Sequence, residues 1–127
     1  MQSIFSPSAP EAIGPYSQAI VHNGLVYTSG QIALNTQGVL QGTANGGDIE
    51  VQTTQVLQNL QAILEQAGSS LQKVIKTSVF LSDMEHFNAM NAVYARYFGD
   101  HKPARSTIAV KTLPKNALVE IECIAAI

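Results

Sequence analysis

The chain has 127 residues, 46% of them hydrophobic and 13% charged. Soluble domains average about 25% charge, so this composition excludes a disordered chain, which combines low hydrophobicity with high charge. With 7 Lys and Arg against 9 Asp and Glu, a formal net charge of −2, it also excludes a basic nucleic-acid arm.

A first strand is followed by two apolar-rich stretches, Ser17–His22 and Leu25–Thr28, separated by Asn23-Gly24. Asn-Gly is the strongest two-residue hairpin signal, because both central residues of a type I′ turn need positive φ. Residues 35–47 carry Gly38, Gly42, Gly46 and Gly47 and read as a loop. Asp48 can cap a helix whose apolar residues Ile49, Val56, Leu57, Leu60, Ile63, Leu64 and Ala67 form a 3.6-residue stripe. The glutamines between them are expected to face solvent, and Gly68 ends the helix. Val74–Leu81, rich in β-branched and aromatic residues, reads as a buried strand.

Asp83 can cap a second helix with Phe87, Met90, Tyr94 and Tyr97 along one face, ended by Gly99. His101-Lys102-Pro103 is a connector, since proline and the residue before it resist helix. Ser106–Val110 is a short strand and Leu113–Asn116 a turn. Leu118–Ala125 is a final strand with Val119, Ile121 and Cys123 on one face and Glu120, Glu122 and Ile124 on the other. The order strand, hairpin, helix, strand, helix, strand, strand predicts a single α+β domain over residues 1–127, with two helices packed on one face of a mixed sheet. Nothing in the chain covers the other face, so a partner copy is expected there.

Residues 1–72 hold four acids and no base; residues 73–127 hold seven bases and five acids. Anion binding is therefore expected from the second half. The first 72 residues also lack the basic n-region of a secretory signal and the arginines of a mitochondrial presequence. No run approaches the roughly 18 apolar residues of a membrane span. Cys123 is the one cysteine. The expectation is a soluble cytoplasmic protein of a reducing compartment, with no membrane partner.

Two arginines are present. Arg96 lies mid-helix and reads as a solvated residue. Arg105 follows Pro103-Ala104 at the mouth of a strand, where its guanidinium could grip a carboxylate through two parallel hydrogen bonds, or simply face water. Glu120 and Glu122 share a strand face with apolar neighbours. Desolvation there would raise a carboxyl pKa and suit a general base; the plain alternative is that both point to solvent on an edge strand. No His or Cys lies at ligand spacing with them, so no metal is expected. Tyr16 sits after the turn-forming Ile13-Gly14-Pro15 as a packing residue or a ligand contact. Gly30, in Thr28-Ser29-Gly30-Gln31, lets backbone approach a ligand. His22, His86 and His101 are scattered and have no nucleophile at a telling spacing.

These segments occur together and in order: Ala12-Ile13-Gly14-Pro15-Tyr16-Ser17-Gln18, Ser29-Gly30-Gln31-Ile32, Lys76–Leu81, Asn91-Ala92-Val93-Tyr94, His101–Ser106, Leu113-Pro114-Lys115 and Val119-Glu120-Ile121-Glu122. The chain closely resembles the RidA family (reactive intermediate deaminase A, also called YjgF or L-PSP) over nearly its whole length. The resemblance implies a chorismate-mutase-like α+β fold and a homotrimer with sites in clefts between subunits. It implies hydrolysis of 2-imino acids, such as 2-iminobutanoate and 2-iminopropanoate, released by pyridoxal-phosphate enzymes, to 2-keto acids and ammonia, without a cofactor. By the same resemblance Arg105 binds the substrate carboxylate, Glu120 activates or positions water, the Gly30 backbone faces the imine nitrogen, and Tyr16 and Asn91 line the cleft. Thr107 stands where the family usually has cysteine, and its hydroxyl could supply a stronger hydrogen bond than a thiol. The family has also been described as endoribonucleases and translation inhibitors. An RNA site should cluster Lys and Arg with stacking aromatics; Lys102, Arg105, Lys111 and Lys115 are the best such cluster, diluted by acids, so nucleic acid is not the expected partner. A non-catalytic, ligand-binding or chaperone-like trimer is the third alternative.

Overall fold

A computed structural model describes all of residues 1–127. Its strands are β1 (Gln2–Ile4), β2 (Ala19–His22), β3 (Leu25–Thr28), β4 (Val74–Leu81), β5 (Ala104–Ala109) and β6 (Val119–Ala126). Helix α1 spans Ile49–Gln66 and α2 spans Phe87–Phe98. The element order is the predicted one, and boundaries differ by one or two residues. Strand β5 starts earlier than expected because Ala104 and Arg105 already pair with Lys76 and Thr77 of β4.

One six-stranded sheet runs β1-β2-β3-β6-β4-β5. Only the β4–β5 pair is parallel, joined through α2; every other pair is antiparallel. The sheet is therefore mixed, as expected. The hairpin between β2 and β3 turns at Asn23 and Gly24, with φ of 51° and 77°. Asp48 caps α1 by accepting from the Val51 amide at 3.1 Å. Asp83 accepts from the Glu85 amide at 2.8 Å and starts a 3₁₀ turn, Met84–His86, that leads into α2.

Both helices pack on one sheet face around a cluster of 22 buried residues, including Leu57, Leu60, Ile63 and Leu64 of α1, Met90 and Val93 of α2, and Val79, Leu81, Val119 and Ile121 of the sheet. A smaller cluster of Ile32, Leu34, Leu113 and Ala117 seats the loop after β3. Two sequence expectations change here. Gln52 is not on the solvent face of α1: it is buried, donates to the Gly42 carbonyl at 3.1 Å and accepts from the Leu118 amide at 2.9 Å. Its amide joins two loops whose backbone groups would otherwise be orphaned in the interior. Strand β4 is buried on alternate residues only, because the sheet face away from the helices is open. Tyr27 and Ile108 on that face are 42% and 52% exposed. No helix is long and apolar enough to cross a membrane.

Candidate active site

Register decides which face each candidate occupies. Thr77 of β4 is fully buried under the helices, and it pairs with Arg105 and Cys123. Phe80, three residues on, pairs with Glu120. Side chains alternate along a strand, so Arg105 and Thr107 take the helix side of the sheet, while Glu120 and Glu122 take the open side.

On the open side, a cavity of about 420 Å³ is bordered by Tyr16, Ser29, Gly30, Gln31, Glu120 and Glu122, with Glu11 and Pro114 at its margins. Three hydrogen bonds from one buried side chain position its wall. Gln18 accepts from the Ser6 amide at 2.6 Å and donates to the Ser6 and Pro10 carbonyls at 3.2 and 2.8 Å. The segment between β1 and β2 that carries Tyr16 is thereby tied back to β2. Tyr16 Oη in turn accepts from the Ile13 amide at 3.3 Å. Opposite, Ser29 donates to the Ser17 carbonyl at 2.6 Å, and Gln31 exchanges backbone hydrogen bonds with Ile121 at 2.9 and 3.1 Å.

Gly30 is thus held beside Glu120 with no freedom to retreat. A Cβ on Gly30 would stand 2.9 Å from Glu120 Cδ and 3.1 Å from its Cγ, so the carboxylate occupies space that only a glycine leaves free. Glu120 is half-buried there. Burial raises its pKa above the usual carboxylate range, and the nearby Glu122 charge adds to the effect. No basic side chain borders this cavity.

On the helix side, Asn91, Tyr94, Phe98, His101, Lys102 and Arg105 border a second cavity of about 480 Å³. Arg105 Nη1 donates to Asn91 Oδ1 at 2.6 Å. Its guanidinium carbon lies 4.8 Å from the Tyr94 ring centre and 5.5 Å from that of Phe87. Two aromatic rings and one amide hold the guanidinium, and its remaining N–H groups have no side-chain acceptor. The Tyr94 hydroxyl lies 2.8 Å from Thr77 Oγ1, and burial pushes its pKa up against the opposing effects of Thr77 and Arg105. Thr107 Oγ1 is buried without a hydrogen-bond partner. Arg96 is solvent-exposed, as its mid-helix position suggested.

The sequence candidates therefore divide between two places. Tyr16, Gly30 and Glu120 meet in one cavity; Asn91 and Arg105 meet in the other; Thr107 borders neither. Sequence reasoning gave no structural role to Gln18, whose signal was only its place at the end of Ala12–Gln18. Cys123 is buried beside Thr28, and burial pushes its thiol up to about 11, so it is chemically quiet. No group of three or more His, Cys, Asp or Glu residues could hold a metal ion.

Comparison with known proteins places the chain among relatives. The family model for endoribonuclease L-PSP matches residues 6–127. A RutC family protein of Pyrococcus horikoshii is 52% identical over 96% of this chain and 94% of its own length. The chloroplastic reactive intermediate deaminase A of Arabidopsis thaliana is 44% identical over 96% of this chain and 64% of its own length. The crystal structure of E. coli TdcF with bound serine superposes with a TM-score of 0.92 at 37% identity, over 100% of this chain and 99% of that one. The fold is that of these relatives, and the chain belongs to the L-PSP family, in which some members are named reactive intermediate deaminases and others endoribonucleases.

Proposed function

We propose that the protein hydrolyses 2-imino acids to 2-keto acids and ammonia, in clefts where Arg105 of one copy meets the Glu120 cavity of another. The observation that carries this reading is Glu120, a half-buried carboxyl of raised pKa against Gly30, in a cavity with no cation to neutralise it. Such a group is placed to take a proton from water rather than to form a salt bridge.

Within one copy the sheet separates Glu120 from Arg105, so a ligand touching both requires a second copy. Two features favour that assembly. Arg105 lies on β5, one of the two edge strands of the sheet, and the open face exposes Ile108 on that strand and Tyr27 on β3. We infer a homotrimer from the family resemblance, with the open faces turned inward. The serine held by the TdcF relative carries a carboxylate next to a nitrogen-bearing carbon, which a 2-imino acid also has.

In this mechanism Arg105, held by Asn91, Tyr94 and Phe87, grips the substrate carboxylate through its fork. Gly30 and Tyr16 border the space for the C=N group. Glu120 takes a proton from water as the water oxygen bonds to the carbon of the protonated imine and the C=N electron pair moves to nitrogen. Glu120 returns that proton to the amine nitrogen of the carbinolamine, the C–N bond breaks with ammonia as leaving group, and the hydroxyl proton passes to solvent as the keto acid's C=O forms. General base help supplies about 10²–10⁴ in rate, sufficient for a substrate that already hydrolyses unaided. Thr107, beside Arg105, is assigned to the carboxylate side of the cleft. No cofactor takes part, and a free, buried Cys123 suits the reducing cytoplasm.

The test is ammonia and keto-acid release from 2-iminobutanoate generated in place by a dehydratase. The protein should accelerate it and Arg105→Ala should abolish the acceleration; an Arg105→Ala protein of full activity refutes the assignment. RNA cleavage, the activity in the family's name, finds less support: of Lys102, Arg105, Lys111 and Lys115, only Lys102 and Arg105 border a common cavity. Binding of RNA with a steep salt dependence would revive it.

A further inference from the structure

Glu120 is not alone in its cavity. Glu122 lies two residues from Glu120 on the same face of β6 and borders the same cavity, yet no step needs it. Glu122 makes no side-chain hydrogen bond within the chain. The charged and titratable groups around Glu120 are few. Glu122 stands on its own strand, and Glu11 and Tyr16 come from the segment before β2. Lys76 is on β4, diagonally across from Glu122 on the open face, where its Nζ is engaged by Ser106 Oγ at 3.1 Å. The walls from the β3 end and the turn after β5 bring Ser29, Gly30, Gln31 and Pro114, all uncharged.

Resting on the deaminase reading, we propose that Glu122 is a positioning residue that acts through Glu120. Its negative charge makes the Glu120 carboxylate hold the proton taken from water until the carbinolamine nitrogen accepts it. A negative charge beside a carboxyl disfavours loss of its proton, so Glu120 holds the proton longer than it would without Glu122. The side chain touches no reacting atom. Water gives one proton to Glu120 as the C–O bond forms and the C=N pair moves to nitrogen; Glu120 gives it to the amine as the C–N bond breaks, and the hydroxyl proton passes to solvent as the C=O forms. The rise in the Glu120 pKa, to which burial contributes most and Glu122 next, agrees with this arrangement. Covering the open face with another copy would remove water from around Glu122 and strengthen the coupling.

The experiment compares wild type, Glu122→Gln and Glu122→Asp in two readouts. One is the Glu120 carboxyl titration by ¹³C NMR, with Glu120→Gln used for assignment. The other is the pH profile of kcat/KM for imine hydrolysis. Glu122→Gln should lower the Glu120 midpoint, lower the high-pH plateau by about two- to threefold through weaker basicity, and exceed wild type on the acid limb, so that the two profiles cross. Glu122→Asp, which keeps the charge, should restore the wild-type profile. An unmoved Glu120 midpoint in a folded Glu122→Gln protein overturns the proposal, as does a uniform rate loss without a crossing. A wild-type protein without hydrolysis would instead overturn the deaminase reading, while the NMR titration would still report whether the two carboxyls are coupled.

Discussion

Gly30→Ala puts the proposed chemistry to its sharpest test, because the contact at that position is steric and local. The added Cβ would lie 2.9 Å from Glu120 Cδ and 3.1 Å from Cγ, against about 3.4 Å for ordinary contact. The Gly30 backbone is not in the positive-φ region, so alanine meets no conformational penalty of its own. Ser29 and Gln31 are pinned by backbone hydrogen bonds, at 2.9 Å to Gln18 and at 2.9 and 3.1 Å to Ile121. The carboxylate, not the loop, must therefore give way, by about 1 Å or by a χ rotation costing about 0.5–1.5 kcal/mol. At this chain length that is a fall of about 2–8 °C in Tm. A displacement of about 1 Å in a reacting group costs about 10²-fold in rate.

Gly30→Ala should thus lose about two orders of magnitude in kcat/KM while staying folded and only slightly less stable. The assay is keto-acid release at saturating and limiting imine, alongside a thermal melt. In a Glu120→Gln background the same substitution should cost little more, because the group it displaces is already gone. Full additivity of the two losses, or an active Gly30→Ala enzyme, would refute the reasoning.

Further expectations concern the same architecture. Arg105→Lys should recover little of the activity lost in Arg105→Ala, since a point charge cannot reproduce the fork set against the Tyr94 and Phe87 rings; a KM within twofold of wild type would count against carboxylate binding. Because the folded-state pKa of Glu120 is raised, its ionisation opposes folding: the stability linked to it is present at acid pH and declines as pH rises through the raised value. Glu120→Gln should therefore melt at or above wild type at neutral pH, with the difference shrinking in acid, while hydrolysing slowly. A Glu120→Gln protein less stable at every pH would contradict that sign. Gln52→Ala leaves the Gly42 carbonyl and Leu118 amide without their partner in the interior. It should cost about 2–4 kcal/mol by urea denaturation, and a change under 0.5 kcal/mol would show that water or loop rearrangement satisfies both groups.

Much of this molecule was legible locally. Asn23-Gly24 announces the hairpin because few residue pairs tolerate its φ angles. Asp48 and Asp83 announce helix starts because a carboxylate satisfies amides that the helix leaves free. Alternation along Val119–Ala125 correctly assigned Glu120 and Glu122 to one face, since a strand's period is a property of its backbone. Composition was also informative. In a chain so poor in charge, one sheet face is left open, with Tyr27 and Ile108 exposed on it among Lys76, Ser78, Ser106, Glu120 and Glu122.

Other features depended on pairing between segments far apart in the chain. Whether Arg105 shares a face with Glu120 follows from the register of β4 with both β5 and β6, and that register separates them into two cavities. Gln52 looked like solvent-facing polar surface until the loops at Gly42 and Leu118 closed over it; helical periodicity does not know what will cover a given position. The same is true of Gly30, whose missing side chain has meaning only because Glu120 arrives from a strand ninety residues later. Sequence chemistry selects turns, caps and faces through interactions a few residues long. That Glu120 and Arg105 lie on opposite sides of one sheet is decided by long-range strand register, where a single shift would send every side chain to the other face.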